Sequence, residues 1–111
     1  MPKINPQDLS WTAPTTNTDG TAIDYPLAYE LGVGEPGGPY TAVASFPGTL
    51  NPDGKYSAPL PDMGLAPDVV HAVVLLAFNT DLPDVKSDWS NEVEVLFTGK
   101  LPNAPTGLEL L

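Results

Sequence analysis

Apolar residues along this chain recur two positions apart, in short runs, and seldom at the spacing of a helix face. Leu9 and Trp11 share one side of Asp8–Thr12. Further on, Ile23, Tyr25, Leu27, Tyr29, Leu31 and Val33 alternate with Asp24, Pro26, Ala28, Glu30 and Gly32. A period of two places alternate side chains on opposite faces of a strand. Pro26 has no N–H to give a ladder, so the strand proper is expected to begin at Leu27. Tyr40 to Phe46 predicts a third strand, closed by Pro47-Gly48. Tyr56 to Leu60 predicts a short one, with Pro59 marking it for a sheet edge. Val69 to Asn79 is the longest and most apolar, and Glu92 to Thr98 is the last, with Val93, Val95 and Phe97 on one face.

Turn chemistry separates these runs. Asn17-Thr18-Asp19-Gly20, Gly34 to Pro39, Asn51-Pro52-Asp53-Gly54 and Gly64 to Asp68 are rich in the residues that favour tight turns. Thr80 to Asp88 reads as an acidic, polar loop. Gly99 to Pro105 reads as a linker and Thr106 to Leu111 as a short apolar tail. Six strands at regular spacing, within 111 residues, predict one antiparallel β-sandwich around one core. The expected organisation is a domain over 1–100 and a C-terminal linker or arm over 101–111.

Composition narrows the function classes. Fourteen acidic residues against four Lys and Arg give a net charge of −10, which repels a polyanion and disfavours nucleic-acid binding through phosphates. The chain has no cysteine, so disulfides, thiolate zinc sites and Cys-His dyads are excluded. The run Val69 to Phe78 is broken by His71 and falls well short of the roughly 20 apolar residues of a membrane helix. No apolar leader core follows Met1, so synthesis in a cytoplasm without classical export is expected.

Three segments, in order, carry a resemblance. Leu9-Ser10-Trp11-Thr12-Ala13-Pro14 resembles strand B of fibronectin type III domains, with Trp11 as a core residue. Gly64-Leu65-Ala66-Pro67, followed by Val73, Leu75 and Ala77, resembles that family's E–F corner and strand F. Ser87-Asp88-Trp89-Ser90-Asn91-Glu92-Val93 is similar to the run into strand G of bacterial and phage copies. The resemblance implies a seven-strand sandwich in which Trp11, Tyr29, His71 and Trp89 are structural. His71 stands where the family has a tyrosine bonded back to the corner, and a neutral imidazole nitrogen can make an equivalent bond. Strand A is expected to be short, because only Met1 to Gln7 precede strand B. A strand-A-like sequence, Pro102 to Leu110, lies instead at the C-terminus.

No catalytic, cofactor or metal residues are nominated. The only histidine is assigned to the corner, and no glycine-rich phosphate loop is present. The acidic loop from Asn79 to Asp84, with Asp88, offers oxygen atoms suited to calcium. It lacks the glycine and closing glutamate of an EF-hand, and is read as a solvated loop that discourages edge pairing.

Two surfaces are expected to bind proteins. If His71, Val73, Leu75 and Ala77 point inward, then Ala72, Val74, Leu76 and Phe78 point outward. With Ala28 and Leu96 they would form an apolar outer face, unless loops or the tail of the same chain cover it. The other surface is the arm, with Leu108 and Leu110, which would pack on its own domain, stay free, lead to a second domain or add a strand to a neighbour. The expected function is that of a non-catalytic structural or binding protein. The resemblance implies a bacteriophage virion component, a capsid decoration or tail accessory protein. Its partner would be a repetitive virion scaffold or copies of itself, with no membrane or nucleic acid involved. The alternative is a spacer, carbohydrate or adhesion module of a secreted bacterial protein, placed outside the cell.

Overall fold

Alternation is realised as an all-β fold without helices in the computed structural model, which describes residues 2–111. Nine strands are formed among these residues. In chain order they are β1 (Lys3–Ile4), β2 (Asp8–Trp11), β3 (Leu27–Gly34), β4 (Tyr40–Phe46) and β5 (Thr49–Leu50). Then follow β6 (Tyr56–Pro59), β7 (Val70–Asn79), β8 (Leu82–Lys86) and β9 (Val93–Leu96). One sheet runs β1-β9-β7-β3-β4, with β8 also paired to β7, and the other runs β2-β6-β5. All pairings are antiparallel except β1 with β9, which is parallel through Lys3↔Val95 and Ile4↔Leu96. Two stacked sheets give a sandwich-like arrangement in place of the wholly antiparallel one expected.

The start at Leu27 and the span Tyr40–Phe46 fall where the pattern places them. The segment Thr80 to Asp88 does not: it contains β8. Asn79 Oδ1 accepts the Asp81 N–H at 2.8 Å, and this Asx turn reverses the chain so that Asn79 pairs with Leu82. Pro83 is tolerated because β8 is at the sheet margin, where a missing N–H leaves no partner unmet.

The inner faces meet around Leu31, Val73 and Val95, with Leu9, Phe46, Leu60 and Leu75 packed against them. Trp11 anchors the second sheet to the first. Its ring lies 4.9 Å from Tyr29 edge-on, 5.8 Å from Phe46 and 6.4 Å from Tyr56. Beside it the chain turns at Gly48 with φ +76, and a Cβ there would stand 2.7 Å from Trp11 Cζ2. Only glycine meets both demands.

Between β8 and β9 the chain stays alongside β7 but at a changed pace. Ser87 N donates to Ala77 O at 2.8 Å, Ser90 N to Leu75 O at 2.7 Å, and Val93 pairs with Val73. Three residues thus pass for every two of β7, an extra residue twice over, as in successive β-bulges. The serines repair the ladder. Ser87 Oγ accepts the Ala77 N–H at 2.9 Å and Ser90 Oγ the Leu75 N–H at 3.0 Å. Each hydroxyl then donates to the next carbonyl, that of Asp88 or Asn91. Removing either hydroxyl strands a backbone donor. Ser87→Ala and Ser90→Ala should each cost about 1–3 kcal/mol in urea unfolding, with Ser90→Thr close to wild type.

Candidate interaction site

The doubled bulge decides which face of the large sheet is open. Ala28, Val74 and Leu76 do lie on its outer face with Phe78 and Leu96, but they are not a docking surface. Ala28 is 8% exposed, Val74 2% and Leu76 8%, while Phe78 and Leu96 are half-buried. Side chains of the bulged segment and the residue before it reach across β7 over the strip formed by Val74, Leu76 and Phe78. Lys86 Nζ meets Glu30 Oε1 at 2.7 Å. Glu30 sits opposite Leu76 and Lys86 opposite Phe78, so the lysine stem crosses the apolar strip beneath. Trp89 lies over Gly32, the register partner of Val74; a Cβ on Gly32 would be 2.7 Å from Trp89 Cη2. Glu92 reaches farthest, accepting hydrogen bonds from the Tyr40 hydroxyl and, at 2.6 Å, from Gly37 N. Tyr40 also meets Trp89 edge-on at 6.1 Å.

Strict alternation through Ser87 to Glu92 does not foresee this cover. A signal for it is nonetheless present. Gly32 and Gly34 follow Glu30 on one face of β3, and glycine inside a strand marks close approach of another group.

His71 is half-buried, and its Nε2 lies 2.9 Å from Ala66 O. The ring nitrogen therefore carries a proton and donates to the corner carbonyl. Tyr29 is buried and Trp11 half-buried in the aromatic cluster already described. Trp11 Nε1 is buried without a hydrogen-bond partner.

The open surface lies elsewhere. A cleft of about 530 Å³ separates the sheets at one side. One wall is Leu9 and Trp11 of β2, and the other is Leu75, Ala77, Ser87, Ser90 and Val93. It exists because β1 pairs with β9, leaving β2 at the edge of its own sheet with no strand on its far side. Val93, on the same face of β9 as the buried Val95, is accordingly 46% exposed. The arm makes no strand and all its residues from Leu101 onward are exposed, with Leu108 at 94% and Leu110 at 100%. It stretches the molecule to 65 × 33 × 21 Å.

The electrostatics are those of an acidic protein with two ion pairs among the described residues, Lys86–Glu30 and Lys100–Asp68. Burial raises the Tyr29 phenol above its ordinary value of 10.0; the Trp11 indole opposes this without meeting hydrogen-bond geometry. Tyr40 is raised chiefly by its hydrogen bond to the Glu92 carboxylate. Asp19 is lowered by the Thr21 hydroxyl and N–H, which fixes its turn. Among the described residues no three His, Asp or Glu side chains converge as metal ligands would.

The geometry defines a two-sheet β protein with an unfilled edge and a free arm. Compared with family models, characterised proteins and solved structures, the chain matches none.

Two outcomes are expected. Gly32→Ala should drive Trp89 off the sheet, red-shift its fluorescence and cost about 1–3 kcal/mol in chemical unfolding. At alkaline pH the fold favours the neutral phenols of Tyr29 and Tyr40. That stability is complete below about pH 10, the unfolded value, and is lost as pH rises through the higher folded values. Absorbance at 295 nm and Tm between about pH 8 and 12 should show both, and Tyr29→Phe should flatten the alkaline fall in Tm.

Proposed function

We propose that the chain is a non-catalytic structural protein, a fibronectin type III-like sandwich that docks on other proteins as a component of a bacteriophage virion. In this reading β2 and β6 correspond to strands B and E, β3 and β4 to C and C′, and β7 and β9 to F and G. The observation that carries the docking role is the arm, where Leu108, Leu110 and Leu111 are more exposed than any large apolar side chain of the body. An apolar segment held in water is an unmet burial, and burying one leucine contributes roughly 1.5–3 kcal/mol. On a repetitive capsid or tail surface, many such weak contacts add through avidity. The single histidine is engaged at a backbone carbonyl, which supports a structural role for it. The charge of −10 favours a basic protein surface over nucleic acid. The virion setting itself rests on the resemblance of Ser87 to Val93 to bacterial and phage copies of the family.

The arm also reads as the first strand of a following repeat, which supports a spacer module of a secreted protein as the second reading. An antibody to the chain separates them. Phage particles induced from the source and purified on a density gradient should contain the protein. Its presence only within a longer secreted polypeptide would overturn the virion reading in favour of the spacer.

A further inference from the structure

We infer that the cleft beside β2 is a strand-acceptor site and that its occupant is the C-terminal arm of a second copy of this chain. The inference rests on the reading of the chain as a docking protein and narrows the partner to the chain itself.

The acceptor is a missing strand. Because β2 is the edge of its sheet, half of its backbone donors and acceptors face away from β6 with no strand to meet them. Immediately past that edge lies the cleft, walled by Leu9, Trp11, Leu75 and Val93. An added strand would pair with β2 by its backbone and place every second side chain between the sheets.

The donor has the matching pattern. Thr106, Leu108 and Leu110 fall on one side of an extended segment, and Gly107 and Glu109 on the other. With the leucines inward, spaced as Leu9 and Trp11 are on β2, Glu109 stays in water. Lys100 to Pro105 supplies six residues of tether, about 20 Å when extended, enough to leave one body and reach another.

Direction argues for a second copy. The arm starts where β9 ends, and that point is fixed beside the start of β2. Asn5 N donates to Leu96 O at 2.9 Å, and the Asn5 side chain holds Thr98 through Nδ2 to O and N to Oδ1, each at 2.9 Å. Asn5 is three residues before β2. An arm folding straight back into its own cleft would therefore run in the same direction as β2, and parallel pairing is the less stable kind per residue. An arm arriving from another molecule has no such restriction and can pair antiparallel. Each chain carries one arm and one cleft, so exchange closes a dimer and head-to-tail addition builds a chain.

The absence of cysteine makes a direct test possible. Ser10→Cys on the outer side of β2 and Glu109→Cys on the outer side of the arm are prepared as separate full-length proteins. Mixed under mild oxidation, they should give a disulfide-linked heterodimer in preference to either homodimer. Sedimentation of the wild-type chain should show oligomers growing with concentration. Deletion of residues 101–111, or Leu108→Asp with Leu110→Asp, should leave a monomer with unchanged tyrosine absorbance and a Tm equal to that of the wild-type chain at high dilution. Peptide 101–111 should bind the truncated protein and compete with cross-linking.

A wild-type chain that stays monomeric at millimolar concentration overturns the inference. So does cross-linking confined to a double variant carrying both cysteines in one chain, which would show the arm seated in its own cleft. These measurements need only the purified protein. A strict monomer still found in phage particles sinks this inference and leaves the virion reading standing; oligomers from a chain absent from particles do the reverse.

Discussion

The pairing of three residues against two along β7 is the constraint on which the rest of the sandwich depends. A regular strand from Leu82 to Leu96 would send Ser87 to Glu92 alternately to both faces. Twice inserting a residue instead sends Lys86, Trp89 and Glu92 to the outer face, and Ser87 and Ser90 to the inner side. The three outward side chains then find Glu30, Gly32 and the Tyr40–Gly37 corner in turn, so one irregular strand clasps the two strands beyond it. The serine hydroxyls make this tolerable by standing in for ladder carbonyls. Without them the bulges would leave two backbone N–H groups unmet inside the sheet.

Much of the architecture was legible because a period of two fits a half-buried strand and little else. Leu27 begins a strand since Pro26 cannot sit inside one, and Pro47-Gly48 ends another. The corner contact of His71 with Ala66 O was legible through the resemblance alone, which implies a side chain bonded back to the corner at that position. What alternation could not convey was its own interruption. Nothing in Ser87-Asp88-Trp89-Ser90-Asn91-Glu92 breaks polarity in a way that announces a change of pace, since serine suits a bulge, a loop or a strand edge. The expected docking face failed for that reason: Val74 and Leu76 face outward as expected, beneath a cover drawn from a segment with the polarity of a loop. The cleft was hidden for a different reason. It arises from a partner choice, β1 with β9 and not with β2, and local sequence does not record partner choice.

Cleft and arm are two aspects of one imbalance. The smaller sheet has three strands against six in the larger, and its edge strand β2 is only four residues long. The body is thus short of one strand on the side where the core rises to the surface at Val93. The chain carries a segment with the period, length and apolarity of that strand, but at the end from which it cannot fill its own gap in the antiparallel sense. Acidic residues keep such a molecule dispersed. Strand addition is selective on separate grounds, since a partner must offer an open strand edge as well as an apolar wall.

The Asn5 junction has a mechanical consequence. The parallel pair β1–β9 and the three Asn5 bonds tie the first strand to the root of the arm. A pull applied outward along the arm, against the N-terminal segment, slides β9 past β1 along their common axis. In that geometry the bonds are loaded together and must fail together, where a pull across the strands would open them one after another. The arm is therefore rooted at the point of the body best placed to bear tension, and a chain linked through it would transmit load along strands.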